Sequence, residues 1–208
     1  MIIVLPNQGQ SGFMQLTLLI VCLLGLSACT TNPPKNPDNL CQIFAEKDDW
    51  YDAAQSAENR WGVPISVQMA IIYQESSFKA TAEPPRPLIL GFIPWFRSST
   101  AYGYAQAQNN TWSEYQQKTG RHFTSRQDFA DSCDFVGWYC AVSHRKLGIN
   151  KTDAYNLYLS YHEGHGGFQR NSHTHKQWLL TTAQKVDNRA KRYNAQLTNC
   201  HQELDAKN

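Results

Sequence analysis

One carboxylic acid, Glu75, lies where its neighbours would alter its chemistry. It follows the apolar run from Met69 to Ile72 and precedes Ser76, near the end of a predicted helix. A free glutamic acid has a pKa of about 4.3. Partial burial raises that value, and the negative end of a helix dipole also disfavours a carboxylate. A glutamate in this setting can act as a general acid near neutral pH, although an ordinary exposed glutamate gives the same local pattern.

Two other segments carry residue types that bind metals, but their spacing does not favour a site. The helical zinc motif needs a second histidine four residues after the first, and the residue four beyond His162 is Gly166. Cys133, Cys140 and His144 offer a zinc alternative, yet the chain has no paired Cys-x-x-Cys. We therefore expect no metal and no cofactor.

Helix-start and helix-stop residues recur along the chain, whereas period-2 alternation is almost absent. Pro64 opens a helix over residues 65–75, and its apolar stripe is broad enough for a central, buried position. Thr111 begins a capping box, and Asp131 can cap a helix that ends at Gly148. We expect a mostly α fold. The remaining predicted helices cover roughly 39–49, 52–61, 153–162 and 175–198, and Leu88–Ile93 is the one weak strand candidate.

Four segments, in this order, carry a family resemblance. They are WGVPISVQMAIIYQESSF (61–78), AYGYAQA (101–107), FVGWYCAVSHRKLG (135–148) and YLSYHEG (158–164). Together they resemble the lytic transglycosylase domain that is related to goose-type lysozyme. The resemblance implies a lysozyme-like helical domain, here with a Pro-rich apolar loop inserted at residues 83–99.

In that family the glutamate of a Glu-Ser pair is both acid and base, and the resemblance assigns these roles to Glu75. It implies cleavage of the β-1,4 bond between N-acetylmuramic acid and N-acetylglucosamine in peptidoglycan, with closure of a 1,6-anhydro ring. One carboxylate suffices, because the N-acetyl group of the substrate can stabilise the cation. By the same resemblance, the substrate-binding residues are Ser76, Gly103, Tyr104, Gln106 and Tyr161.

The turn at 103–106 matches the family's Gly-Leu-Met-Gln only at its two ends, because Tyr104 and Ala105 replace Leu and Met. Gly103 permits a positive φ or a close approach of a sugar. The Gln106 amide can donate to and accept from an N-acetyl group. The sequence therefore does not define the shape of this subsite.

The other motifs also leave alternatives open. Ser76 is equally a helix-capping hydroxyl, and Tyr161, which falls on the family's Tyr beside the acid, is equally a core aromatic. His162 and Glu163 stand where the family has Asn and Ala. A second carboxylate would permit hydrolysis instead of ring closure. The candidates for it are Glu83, Asp131, Asp134 and Glu163.

The inserted loop, residues 83–99, is rich in apolar and aromatic side chains. It either roofs the saccharide cleft or packs as a small core of its own. For the whole chain, a protein that binds glycan on the same scaffold without cutting it is the alternative from another class. An unpaired acid at position 75 favours an enzyme over such a binder.

The N-terminal region has the features of an export signal. Residues 16–26 (LTLLIVCLLGL) carry no charge, are too short to span a bilayer, and precede Leu26-Ser27-Ala28-Cys29. The last four residues resemble a bacterial lipobox, which implies cleavage before Cys29 and its lipidation. Thr30 after the cysteine favours the periplasmic face of the outer membrane. The predicted organisation is a signal peptide (1–28), a lipidated Cys with a flexible linker (29–40) and a lytic transglycosylase-like domain (41–208).

Four cysteines remain once Cys22 and Cys29 are set aside. An exported protein meets an oxidising compartment, so two disulfides are expected. Three pairings are possible, and we favour Cys41–Cys200, which joins the two ends of the domain, with Cys133–Cys140 as a local loop.

The charge balance limits the partners. Nineteen Lys and Arg stand against seventeen Asp and Glu, a formal charge of +2. Such a balance excludes a strongly basic nucleic-acid-binding arm. We expect peptidoglycan strands and, through the lipid anchor, a membrane as partners, with no nucleic acid, and a monomer.

Overall fold

The computed structural model describes residues 32–86, 88–89, 92–94, 96–97 and 99–206, which form seven helices and one hairpin. The hairpin pairs β1 (Leu88–Ile89) with β2 (Ile93–Pro94) in antiparallel register within the inserted loop. The mostly α prediction is confirmed. The helices are α1 (Leu40–Glu46), α2 (Trp50–Trp61), α3 (Ile65–Ser76), α4 (Asn109–Thr119), α5 (Phe129–Leu147), α6 (Ala154–Gln169) and α7 (Gln177–Asp205).

Helix α3 is the centre of the domain. Every residue from Ile65 to Ile72 is buried, and the helix contacts α2, α5, α6 and α7. The buried Gln68 donates its amide hydrogens to the carbonyl oxygens of Ala54 and Val63, which ties α3 to α2 and to the turn that follows α2. The predicted central position of this helix is therefore confirmed. The physical reason is that a helix with apolar residues on nearly all sides must be surrounded by protein.

Two predicted helix starts were wrong. Helix α4 begins at Asn109, ahead of the capping box at Thr111. Helix α5 begins at Phe129, where the side chain of Asp128 accepts a hydrogen bond from the Asp131 backbone. Asp131 is not the cap because its carboxylate is bonded to Arg121 and to the backbone of Ser125 instead.

Helices α6 and α7 both continue beyond the C-terminal ends that the sequence predicted for them. Gly164 interrupts α6 with φ 73° and ψ 158°, but the chain resumes helical geometry and continues to Gln169. Helix α7 begins at Gln177 and continues to Asp205. No helix among the described residues combines the length and the apolar character that a membrane span requires.

The second half of the predicted linker is docked on α7 rather than free. Pro34 is buried. Arg189 and Arg192 both pair with Asp38, and the Tyr193 hydroxyl donates to the Pro37 carbonyl oxygen. The expectation of a flexible tether therefore does not hold for residues 34–39. The predicted signal peptide and the lipidation site Cys29 lie outside the described residues.

One of the two predicted disulfides is present. Cys41 and Cys200 are bonded, with their Cα atoms 6.1 Å apart. Cys133 and Cys140 are free, buried thiols, so the second pairing was wrong. Both lie on α5 seven residues apart, which is about two helical turns or 10 Å along the axis. Two cysteines at such a separation cannot be bridged.

Candidate active site

Glu75 lies in the last turn of α3, and an unusual backbone turn fixes that end of the helix. Ser77 and Phe78 both adopt positive φ, 51° and 61°, although neither is glycine. The turn buries the Phe78 side chain completely, with its ring 5.4 Å from that of Trp50 and 5.6 Å from that of Tyr73. Left-handed geometry at non-glycine residues costs free energy and persists where the surrounding packing demands it. The packing of Phe78 therefore fixes the backbone turn that follows Glu75.

The carboxyl of Glu75 is desolvated. The residue as a whole stays partly accessible, yet protein surrounds its carboxyl so closely that burial raises the pKa of the group to about 7. The Tyr158 hydroxyl donates a hydrogen bond to Glu75 and partly offsets the rise, because that bond stabilises the ionised form.

Tyr158 was not among the residues predicted from the sequence. The family resemblance pointed to Tyr161, whose hydroxyl donates instead to the Ala105 carbonyl oxygen at 2.6 Å. The negative charge of Glu75 raises the pKa of Tyr161 as well, after burial as the larger cause, so this ring also lies near the acid. Tyr158 lies three residues before Tyr161, which places both on one helix face, and this spacing was the signal available in the sequence.

Gly103 is required by a close approach of protein backbone. Its φ is 78°, and a Cβ at this position would lie 2.0 Å from the carbonyl oxygen of Arg126. The same carbonyl oxygen accepts a hydrogen bond from the Tyr104 backbone at 3.1 Å. Gly103 therefore serves the turn by letting the chain pass Arg126.

Two predicted substrate residues lie within the protein. Tyr104 is 3% exposed, and its ring makes edge-on contacts with Trp50 and Phe129. Ser76 is 6% exposed, and its hydroxyl donates to the Ile72 carbonyl oxygen within α3. Both side chains thus pack within the protein, whereas the family resemblance had led us to expect contacts with substrate.

Gln106 faces a pocket but has little freedom there. Its side-chain nitrogen donates to the carbonyl oxygens of Ala82, at 2.8 Å, and Gly103, at 2.9 Å. Both amide hydrogens are thereby used, so the amide oxygen is the group left to accept a bond from substrate. Gln106 and Tyr161 line a pocket of about 210 Å³ whose lining does not include Glu75. The remaining lining residues are Ala107, Gln108, Thr111, Phe135, Tyr139, His162, Glu163 and Gly164.

Glu163, on the wall of this pocket, is bound on all sides by other side chains. Lys176 Nζ lies 2.7 and 2.8 Å from its two oxygens, the Ser172 hydroxyl donates to it, and His162 Nδ1 lies 3.2 Å away. These bonds, led by that of Lys176, lower the pKa of Glu163 to about 2. Its side chain is only 5% exposed. Glu163 is therefore a permanently ionised group that joins α6 to the start of α7.

The other three acidic candidates are also ion-paired. Glu83 pairs with Arg97 and Asp131 with Arg121. Asp134 is buried, pairs with Arg60 at 3.1 Å, and accepts a hydrogen bond from the Tyr115 hydroxyl at 2.6 Å. Glu75 has no cation within ion-pair distance among the described residues. In the same part of the chain, no group of three or more His, Cys, Asp or Glu side chains is arranged to hold a metal ion.

The inserted loop is attached at its base to the turn that carries Gln106. The carbonyl oxygen of Ala82 accepts bonds from the Gly103 backbone and from the Gln106 side chain. Further out, Phe92 and Phe96 are 72% and 79% exposed. These two rings therefore do not form a core of their own beneath the loop.

Comparison with known families gives one match. A family model described as a transglycosylase SLT domain matches residues 17–200, a range that contains Glu75, Tyr158 and the whole pocket. No curated protein is similar enough to the chain to be matched.

Proposed function

Since the chain belongs to the transglycosylase SLT domain family, we propose that it cleaves the β-1,4 bond between N-acetylmuramic acid and N-acetylglucosamine in peptidoglycan, with Glu75 as acid and base. The observation that carries the proposal is the desolvated carboxyl of Glu75, whose pKa is raised to about 7. A group with this pKa populates both protonation states near neutral pH, as a residue that first gives and then takes a proton requires.

The reaction begins with the protonated Glu75. It donates its proton to the bridging oxygen, the bond from that oxygen to C1 of N-acetylmuramic acid breaks, and positive charge develops on this sugar. The N-acetyl group of the same sugar stabilises the cation. The ionised Glu75 then takes the proton of the sugar's 6-hydroxyl while the oxygen of that hydroxyl bonds to C1. This step closes the 1,6-anhydro ring and restores the protonated Glu75.

In most glycoside hydrolases a second carboxylate activates a water or attacks the sugar. Each of the four acidic candidates is occupied by a cation: Glu83 by Arg97, Asp131 by Arg121, Asp134 by Arg60 and Glu163 by Lys176. A carboxylate held in this way is a poor base and a poor nucleophile. These pairings support ring closure over hydrolysis.

The proposal is tested by digesting purified peptidoglycan sacculi with the protein and weighing the products. Ring closure releases fragments one water lighter than the corresponding reducing-end fragments. Glu75→Gln, which keeps the side-chain shape and removes the titrating group, serves as the matched control. Fragments with full reducing ends would mean hydrolysis, and intact sacculi in the presence of bound wild-type protein would mean a binder without catalysis.

We also propose that Cys29 carries lipid and anchors the protein at the periplasmic face of the outer membrane. The support is the lipobox-like sequence before Cys29, together with the Cys41–Cys200 disulfide, which fits an oxidising compartment. Cells that express the full chain are labelled with a fatty acid, and Cys29→Ser is the control. Label on the wild type that is absent from the variant is expected, whereas equal label or no label would contradict the anchor.

A further inference from the structure

Trp178 is an exposed tryptophan at the start of α7. It is the second residue of α7, and 58% of its surface is accessible, while its neighbour Leu179 is fully buried. Because large aromatic rings dominate binding energies when they are covered, an accessible Trp beside a candidate active site is a feature to explain.

The Trp178 ring continues a line of rings that starts at the catalytic carboxyl. Glu75 accepts a hydrogen bond from Tyr158, and the Tyr158 ring centre lies 6.5 Å from that of His162. The His162 ring centre lies 5.1 Å from that of Trp178, in an edge-on arrangement with an interplanar angle of 77°. His162 also lines the pocket that contains Gln106 and Tyr161. Trp178 is therefore continuous with that pocket through His162.

The two rings are held by the interactions of Glu163. Its Oε1 atom contacts both His162 Nδ1 and Lys176 Nζ, and Lys176 lies two residues before Trp178. One ionised side chain thus connects the helix that carries the imidazole to the start of the helix that carries the indole. Such a connection lowers the entropy that a ligand would lose in ordering the site.

We propose that the exposed ring of Trp178, with His162 edge-on beside it, forms a stacking platform for a further sugar residue of the glycan strand, outside the pocket lined by Gln106 and Tyr161. The inference rests on the proposed function, since it takes the substrate to be a polymeric glycan, and it adds a subsite to it. The platform would act on long strands in preference to short ones.

The chemistry of the platform suits a sugar. A pyranose ring presents apolar C–H faces that pack on aromatic rings and hydroxyl groups at its edge that need polar partners. Trp178 supplies a large ring, and His162 and the 41% exposed Lys176 supply polar groups beside it. The exposed Phe92 and Phe96 of the inserted loop lie instead in a run from Pro87 to Phe96 without a charged or hydroxyl side chain. That run lacks the polar partners that a sugar requires.

The test measures binding of an N-acetylglucosamine trimer and hexamer by calorimetry, in a Glu75→Gln background that prevents turnover. Trp178→Ala is expected to weaken binding of the hexamer about tenfold, the loss of one covered aromatic contact. The trimer, which can fill the inner sites alone, should lose much less. Trp178→Phe should restore most of the affinity for the hexamer, because it keeps an aromatic ring.

Phe123→Ala is the matched control, since it removes a fully exposed ring that lines none of the described pockets. Equal losses for trimer and hexamer, an unchanged affinity for the hexamer, or a Phe123→Ala effect as large as that of Trp178→Ala would each overturn the platform. So would the absence of measurable binding of either oligomer. Failure of the platform is distinguished from failure of the proposed function by the sacculus digestion, which depends on Glu75 and is scored by product mass.

Discussion

Glu75 and Glu163 are carried by two helices in contact, α3 and α6, and their surroundings change their proton affinities in opposite directions. Glu75 accepts a hydrogen bond from Tyr158, and burial raises its pKa to about 7. Glu163 has Lys176, Ser172 and His162 as partners, and its pKa falls to about 2. The same type of side chain therefore titrates near neutral pH in one place and is a fixed anion in the other.

The difference shows what separates a reactive carboxyl from a structural one in this fold. A carboxyl that is desolvated and left without a cation can hold its proton at neutral pH, whereas a carboxyl with donors on both oxygens cannot. Two glutamates on neighbouring helices thus need not be an acid and a base that act as a pair. Each of the following experiments changes one side of this contrast.

The largest effect is expected from comparing Glu75→Gln with Glu163→Gln. Loss of a general acid–base group lowers rates by about 10²- to 10⁴-fold, so Glu75→Gln should nearly abolish the release of glycan fragments from sacculi. Glu163→Gln should cost much less, because the carboxylate it replaces contacts protein groups. The rates are measured by the clearing of a sacculus suspension, with circular dichroism as the control for folding. Similar losses in the two variants would contradict the assignment of separate roles.

The stability of the protein should respond to pH in opposite ways at the two sites. Glu75 has a folded-state pKa of about 7, above its value of 4.5 when free, so its favourable contribution is complete below pH 4.5 and is lost as the pH rises through 7. By that linkage the wild type should lose on the order of 3 kcal/mol of unfolding free energy across this window relative to Glu75→Gln.

Glu163 has a folded-state pKa of about 2, below its free value, so its contribution is present above pH 4.5 and is lost as the pH falls towards 2. Glu163→Gln should therefore flatten the acid side of the stability profile, and Glu75→Gln the side from pH 4.5 to 7. Urea titrations of the three proteins over this range provide the measurement. Parallel profiles for wild type and Glu75→Gln would show that the carboxyl at position 75 is not desolvated.

A smaller effect on stability is expected when the cation at Glu163 is removed. Lys176→Met should lower the free energy of unfolding by about 1–2 kcal/mol, because it leaves a nearly inaccessible carboxylate with fewer donors. Lys191→Met is the matched control, since Lys191 is 73% exposed and pairs with Asp187 on the surface of α7. Surface pairs of this kind contribute little, so the control should change stability by less than about 0.5 kcal/mol. Equal changes in the two variants would argue against an anchoring role for Glu163.

The smallest effect concerns the hydrogen bond from Tyr158. Tyr158→Phe removes a bond that stabilises ionised Glu75, so the pKa of this carboxyl should rise further. The limb of the pH–rate profile that reports Glu75 should move to higher pH by about half a unit to one unit. Tyr161→Phe is the control, because the Tyr161 hydroxyl donates to the Ala105 carbonyl oxygen, and it should shift the limb less. A larger shift in Tyr161→Phe would indicate that Tyr161, the residue to which the family resemblance pointed, has the greater effect on the pKa of Glu75.

The sequence determined the central helix and the residue at its end. Pro64 before an apolar run that ends in Glu-Ser defines α3 through local propensity and through the need to bury its side chains, so its bounds and its burial were predictable. The Cys41–Cys200 bond was also within reach of sequence reasoning, once the two ends of the domain were expected to meet. The pairing of Cys133 with Cys140 was wrong even though the sequence already predicted one helix through both residues, because two cysteines about two turns apart on a helix cannot be bridged.

Only the tertiary structure decided which neighbours complete the site. Three interactions depend on how helices and turns meet. Tyr158 donates a hydrogen bond to Glu75, and Lys176 pairs with Glu163. Gln106 uses both of its amide hydrogens on the carbonyl oxygens of Ala82 and Gly103. Hydrophobic patterns fix which face of a helix turns inward, but a hydrogen bond requires donor and acceptor to meet within a few tenths of an ångström. Distances of that kind are set by the packing of the whole domain, and the pKa of Glu75 is set with them.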